Sequence, residues 1–157
     1  MDTIKYGNEL LKTGGLTWKR NTKEYQYLLE ADFYMEWTAT SSIFDSPCSE
    51  EEIVYFSAKK IKYKSPLHFA WKNIAFYREF ESKLEIIEAI SETQFEKIDI
   101  KSAYSIIWKA SQNWAVKYKL LLPKSVNAYL IWNDGLDIYL VLEDEEYYYA
   151  WNWSSTA

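Results

Sequence analysis

Cys48 and His68 are the only cysteine and the only histidine of this chain, and together they are the minimum for a thiol nucleophile with its base. Cys48 falls in a stretch rich in Ser, Thr and Pro that predicts a surface loop, whereas His68 falls in the first turn of a predicted helix. Nothing in the sequence brings the two together, so we predict no thiol dyad. One cysteine also excludes an intrachain disulfide.

Carboxylates are the other side chains that could do chemistry. Glu30, Asp32 and Glu36 alternate along a predicted strand with Tyr34 among them, and two carboxylates in a cleft can hydrolyse a sugar bond when one pKa is raised. An exposed strand face has the same pattern. The sequence contains no glycine-rich phosphate loop, no GxSxG, no HExxH and no paired CxxC, and the acids near Asp134 match no calcium loop. We therefore predict no enzyme, no metal and no cofactor.

The elements that would position a site are clearest between residues 126 and 153. Three runs of β-branched, aromatic and aliphatic residues, VNAYLIW, LDIYLVL and YYYAWNW, are separated by the polar breaks NDG and EDEE. This pattern predicts a meander of strands with a tight turn at residues 133–135. Alternation predicts one core face, with Val126, Ala128, Leu130, Trp132, Leu136, Ile138, Leu140, Leu142, Tyr147, Tyr149, Trp151 and Trp153. The opposite faces of the first two runs, with Asn127, Tyr129, Ile131, Asp137, Tyr139 and Val141, are too mixed to predict full burial.

Charge is distributed unevenly along the chain. Residues 126–157 contain six acids and no Lys or Arg, whereas residues 53–78 contain five Lys, one Arg and no acid. A lysine-bearing edge strand and an acidic hairpin loop both protect a sheet from self-association. The acidic segment could also bind a basic partner, and the basic segment could bind the phosphates of a nucleic acid. The sequence leaves open whether the basic segment from Lys59 to Arg78 lies next to the acidic segment at 134–146.

The remaining elements complete an α+β pattern. Residues 3–12 predict a short helix, residues 25–37 a long strand with a helix as the alternative, and residues 53–56 a strand. Ser65 and Pro66 begin a predicted helix that runs to about Ser91, and the apolar spacing from Ala103 to Leu121 predicts another. Because like elements are grouped, we predict a single α+β domain over residues 1–157, an antiparallel sheet of about five to six strands with two main helices packed on one face.

Aromatic residues are abundant, with 8 Trp and 14 Tyr. Binders of single-stranded nucleic acid pair aromatics with a basic groove, whereas the aromatic-rich end of this chain is acidic, which argues against a nucleic acid partner. The first residues lack the apolar core of a signal peptide, and no run of about 18 apolar residues occurs, so we expect no membrane association and a cytoplasmic location.

A binding protein without catalysis is the function that these features favour. In size and charge the chain resembles the small acidic antitoxin and immunity proteins and phage-encoded inhibitors, which implies a toxin- or nuclease-like partner with a basic surface. The predicted partner-binding residues are Asp134, Asp137, Tyr139, Glu143, Asp144, Glu145, Glu146 and Tyr148. The alternative is a small-ligand-binding domain whose aromatic pocket has Trp37, Trp71, Trp114, Trp132 and Trp151 as candidate walls. The charge pattern also allows a homodimer.

Overall fold

A computed structural model describes residues 2–18, 33–39, 51–78, 80–110 and 127–155 of this chain. Within these ranges there are four α-helices and six strands. In chain order they are α1 (Thr3–Thr13), β1 (Phe33–Ala39), β2 (Glu51–Lys59), α2 (Pro66–Tyr77), α3 (Lys83–Ser91), β3 (Glu96–Ile98), α4 (Ile100–Ala110), β4 (Asn127–Asn133), β5 (Asp137–Glu143) and β6 (Tyr147–Ser155), with a 3-10 turn at Lys60–Lys62 between β2 and α2. Among the described helices, none is both long and apolar enough to cross a membrane.

The six strands form one sheet in the order β1-β2-β6-β5-β4-β3, and every neighbouring pair is antiparallel. The predicted α+β class and the predicted C-terminal meander are therefore confirmed. At the first turn of the meander Gly135 has a φ of 89°, which only glycine adopts without strain, and the side chain of Asp134 accepts from the amides of Leu136 and Asp137. This turn sets the register of β4 on β5.

The helices cover both faces of the sheet, so the prediction of two main helices on one face is wrong. On one face Leu10 of α1, Leu67 and Ile74 of α2, and Ile86 and Ile90 of α3 form a core cluster with strand residues. On the other face Ala103 and Ile107 of α4 form a second cluster. The two helices predicted from periodicity lie on opposite sides because the central strands carry apolar side chains on both of their faces.

Strand β5 shows why both faces need a cover. Its even positions Ile138, Leu140 and Leu142 pack in the α4 cluster, as predicted, but Tyr139 and Val141 are equally buried in the other cluster. The expectation that this second face is too mixed for burial is wrong for Ile131, Tyr139 and Val141. Tyr139 is compatible with burial because its hydroxyl donates to the carbonyl of Ala70 at 3.2 Å.

Two residues of the predicted core face of β4 and β5 lie elsewhere. The pairing shifts by one residue between Leu130 and Trp132, and Trp132 consequently packs with the cluster of the opposite face. Leu136 belongs to the turn and is 51% exposed. In β6 both sets are in the core: Tyr149, Trp151 and Trp153 pack on one face and Tyr148 and Ala150 on the other.

The helix predicted from Ser65 to about Ser91 is two helices. Ser65 caps α2 as predicted, with its hydroxyl accepting from the amide of His68 at 3.0 Å, and Pro66 follows it. The chain leaves helical geometry at Arg78 and begins α3 after Ser82, whose hydroxyl accepts from the amide of Glu85. The apolar stripe continues across this break, so periodicity alone did not reveal it.

Other predictions fall partly outside the described ranges. The short N-terminal helix is confirmed as α1, with Gly14 at φ 78° as its end, and the strand at 53–56 is confirmed within β2. Residues 33–37 of the predicted long strand lie in β1, which extends to Ala39, while residues 25–32 lie outside the described residues. The helix predicted from Ala103 is α4, and the part beyond residue 110 lies outside them too.

Asn73, in α2, is fully buried, and among the described residues neither its amide nitrogen nor its amide oxygen has a hydrogen-bond partner. A buried polar group without a partner costs about 1–3 kcal/mol. We expect Asn73→Leu, which is close in shape, to raise the free energy of unfolding by about 1–3 kcal/mol, measured by urea denaturation. The control is Asn152→Leu: Asn152 is also buried, but its amide donates to the Asp137 carboxylate and to the carbonyl of Ile138, so this change should destabilise. Equal effects of the two substitutions would contradict the assignment.

His68 is buried, and both ring nitrogens are bonded: Nδ1 accepts from the amide of Lys64 at 3.0 Å and Nε2 donates to the carbonyl of Gly15 at 2.8 Å. Burial lowers the pKa of His68, and Lys72 and Lys64 lower it further, against the opposing effect of the Gly15 carbonyl. The folded chain therefore binds fewer protons than the unfolded chain just below about pH 6.5, and stability is lost as the pH falls through that region.

Proton NMR can follow this titration without assignment because His68 is the only histidine. We expect a midpoint below about 6.5, the ordinary value for this side chain. The free energy of unfolding should fall between pH 7 and 5, and the His68→Asn variant, whose carbonyl can still accept from Lys64, should lack this part of the slope. A midpoint at or above the ordinary value would show that the ring is not held neutral by its surroundings.

Candidate functional site

The eight predicted partner-binding residues do not form one surface. Asp134 lies in the turn before β5 and Asp137 begins the strand, whereas Glu143 ends the strand and Asp144, Glu145 and Glu146 lie in the turn after it. A strand of this length spans about 20 Å, so the two acidic turns are at opposite ends of the sheet. Tyr139 and Tyr148 are buried in the core, the latter beside Glu143, and they present almost no surface to a partner.

At one end of β5, Glu143 is buried and accepts hydrogen bonds from three side chains. Its Oε2 lies 2.7 Å from Nζ of Lys60, and its Oε1 accepts from the hydroxyl of Tyr129 at 2.6 Å and from the amide of Asn127 at 3.0 Å. Burial alone would raise the pKa of Glu143, but these donors outweigh it and hold the pKa below the ordinary value. Glu143 is therefore an internal ion-pair partner.

The turn between β5 and β6 is fixed by Asp144. One carboxylate oxygen of Asp144 accepts from the amides of Glu146 and Tyr147, and the other accepts from the hydroxyl of Tyr149 at 2.7 Å. These donors hold the pKa of Asp144 below its ordinary value, although burial acts in the opposite direction. Glu145 and Glu146 remain exposed on this ordered turn.

The basic segment and this acidic turn are neighbours. Besides its ion pair with Glu143, Lys60 donates its backbone amide to the carbonyl of Glu146 at 2.8 Å and its Nζ to the carbonyl of Asp144. We call this end, defined by residues 59–64 and 143–146, the lysine end. Its four carboxylates are matched by four lysines, Lys59, Lys60, Lys62 and Lys64, so its net charge is zero. The predicted acidic edge is neutralised here by the chain itself.

The opposite end of β5 is organised around Asp137. Its Oδ2 lies 2.7 Å from Nη2 of Arg78, and its Oδ1 accepts from the indole of Trp132 at 2.8 Å and from the amide of Asn152 at 2.7 Å. The guanidinium of Arg78 lies 4.9 Å from the ring centre of Trp132, within cation-π distance. Arg78 directly follows the last residue of α2 and pairs with the first residue of β5, so it links the helix to this end of the sheet.

A surface cavity of about 370 Å³ lies beside this cluster. Its lining residues are Arg78, Glu92, Gln94, Trp132, Asn133, Asp134 and Asp137. We call this region the pocket end. The charge of Arg78 is matched by Asp137, so among the described lining residues the exposed Asp134 and Glu92 add two further negative charges. Asparagine and glutamine amides add donors and acceptors between them.

The tryptophans of the alternative prediction have different positions. Trp71 and Trp151 are buried in the two core clusters, and only Trp132 lines the cavity. The side chain of Trp37 and the whole of Trp114 lie outside the described residues, as do Cys48, Glu30 and Asp32. The pocket is consequently mostly polar rather than aromatic. Over the described residues, no group of three His, Cys, Asp or Glu side chains could hold a metal ion.

Sequence reasoning assigned Asn133 only to the tight turn, and it did not identify Arg78, Glu92 and Gln94 as members of a site. They lie in or after the stretch that reads as one long helix, and their positions depend on the break after Tyr77 and on the end of α3 at Ser91. The only local signal was Ser82, a residue type that favours helix N-caps.

No protein-family model matches this chain, and neither the curated proteins nor the solved structures include a significant match.

The internal ion pair at the lysine end can be tested by stability. Lys60→Ala leaves the buried Glu143 carboxylate without its cation, and we expect the free energy of unfolding to fall by about 1–3 kcal/mol, measured by urea denaturation at pH 7. Lys64→Ala, in the same segment with an exposed side chain, should change it by no more than about 0.5 kcal/mol. If the two substitutions have equal effects, Lys60 does not hold Glu143 as described.

Proposed function

We propose that this chain is a non-catalytic protein-binding domain of the inhibitor or antitoxin type, acting in the cytoplasm, and that it binds a basic partner through the pocket end. The observation that carries the proposal is the cavity beside Asp137, whose described lining residues include two carboxylates, Asp134 and Glu92, besides the ion pair of Asp137 with Arg78. Complementary charge speeds the encounter with a basic surface and disfavours other partners.

The size and surroundings of the cavity support a side chain as its occupant. At about 370 Å³ it lies near the lower limit of ligand sites, which begin at about 300 Å³, and a lysine or arginine side chain from a partner would not need more. Leu136, in the adjoining turn, is 51% exposed and offers apolar contact area beside the carboxylates. Such a combination of an apolar residue with a charged recess is typical of an interface with a protein.

The lysine end supports this choice by contrast. Its carboxylates are balanced by lysines of the same chain, and Glu143 is already engaged by three donors. A basic partner would meet as much repulsion as attraction there. Of the acids expected to bind a partner, Asp134 and Asp137 therefore belong to the proposed surface, and Glu143 and Asp144 support the fold.

A second candidate function rests on the same cavity. A small organic cation, such as an amine or a guanidinium compound, could fill it in place of a partner side chain, which makes the chain a small-ligand-binding domain. The two functions share the carboxylates and differ in whether an isolated small molecule binds measurably.

The test uses two variants that remove equal charge from different ends. Asp134→Asn with Glu92→Gln neutralises the pocket end, and the new side-chain amide at position 134 keeps an oxygen that can accept from the turn amides. Glu145→Gln with Glu146→Gln is the matched control at the lysine end. Affinity capture from native cell lysate at low and high salt, read by mass spectrometry, should recover a basic protein with the wild type and the control at low salt only.

The pocket variant should bind that protein about 2- to 30-fold more weakly, since each of two exposed ion pairs contributes about 0.2–1 kcal/mol. Equal capture by both variants would contradict the proposed surface. Thermal stabilisation of the wild type by arginine or agmatine, absent in the pocket variant and without any captured protein, would favour the small-ligand function instead.

A further inference from the structure

The connection between β2 and α2 displays an isoleucine to solvent. Ile61 is 91% exposed, and the exposed side chains of Lys59, Lys62 and Lys64 flank it. The connection is nevertheless ordered: the amide of Lys60 donates to the carbonyl of Glu146, and the amide of Tyr63 donates to the carbonyl of Lys60 at 3.0 Å. Because this turn is anchored before any contact forms, binding through Ile61 would require little further ordering.

The acidic turn next to it is equally ordered. Glu145 and Glu146 are exposed, and the Asp144 carboxylate fixes the backbone that carries them. The hydrogen bond from Lys60 to the carbonyl of Glu146, 2.8 Å long, sets the two turns side by side. One end of the molecule therefore presents a cationic region and an anionic region next to each other, with an exposed apolar side chain on the cationic turn.

We infer that the lysine end is a contact surface between two copies of this chain. A two-fold axis near Ile61 would place the lysines of each copy against Glu145 and Glu146 of the other. Both halves of the contact would then have attractive charge pairs. The two Ile61 side chains would then add apolar contact near the axis. A uniformly basic or acidic partner would be attracted by the region of opposite charge and repelled by the other, because the net charge of this end is zero.

The expected dimer is weak and depends on salt. Its charges are exposed, so they are screened at about 1 M salt, where the Debye length is about 3 Å, and act over about 30 Å at 0.01 M. This contact does not involve the pocket end, about 20 Å away along β5. It therefore leaves the residues that are proposed to bind a partner uncovered.

Sedimentation velocity of the full chain over a range of concentrations tests the inference. We expect a concentration-dependent dimer at low salt that dissociates at high salt. Glu145→Lys with Glu146→Lys should be monomeric, as should Lys62→Glu with Lys64→Glu. A variant with all four substitutions has the same net charge as the wild type and a reversed pattern, so it should recover the dimer. Ile61→Ser should weaken the dimer at unchanged charge.

Circular dichroism should show whether each variant is folded. If a charge-reversed variant does not fold, Ile61→Ser still tests the inference. The pocket variant Asp134→Asn with Glu92→Gln serves as the control and should dimerise like the wild type. A wild type that stays monomeric at low salt and high concentration would overturn the inference. A dimer that survives both charge reversals, or a fourfold variant that does not recover it, would also overturn it. Loss of partner capture with an intact dimer would affect only the proposed function.

Discussion

Strand β5 is buried on both faces, and each of its ends is closed by a carboxylate that accepts hydrogen bonds from three side chains. At its start the carboxylate is Asp137, bonded by Arg78, Trp132 and Asn152. At its end the carboxylate is Glu143, bonded by Lys60, Tyr129 and Asn127. A shielded carboxylate without such donors would cost several kcal/mol, so these contacts permit the strand to be buried from Ile138 to Glu143 with Asp137 partly buried at its start.

The two cations come from either side of α2, and this determines how the helix lies on the sheet. Lys60 precedes α2 and Arg78 follows it directly. A helix of twelve residues is about 18 Å long and the strand about 20 Å, so the ion pairs hold α2 along β5 at both ends. The hydroxyl of Tyr139 donates to the carbonyl of Ala70 between them. Arg78 has an extended backbone where it pairs with Asp137, so the break that periodicity did not reveal coincides with this ion pair.

The sequence was sufficient for features that depend on neighbouring residues. The strands of the meander, the turn at Gly135 and the Ser65 cap follow from alternation, from positive φ and from side-chain capping. Burial of the second face could not be predicted, because burial of Tyr139 depends on a carbonyl 69 residues away and Trp132 changes face through a shift in pairing with β5. In the sequence the acidic residues are close together and suggest one surface. In the structure β5 separates them into two turns at opposite ends of the strand. The pocket likewise depends on Arg78, whose partner is 59 residues away.

The same two ion pairs engage four of the charges that the sequence places in the acidic and basic segments. They remove Asp137 and Glu143 from the acidic segment and Arg78 and Lys60 from the basic one, so a count of charges along the sequence overstates both. What remains is an acidic recess at one end of β5 and a balanced, two-signed surface at the other. Two copies joined through the balanced surface would direct their recesses away from each other, at opposite extremes of the pair. A partner with two basic sites at that separation would then bind with higher apparent affinity than either recess provides alone, whereas a partner with one site would gain nothing from the pairing.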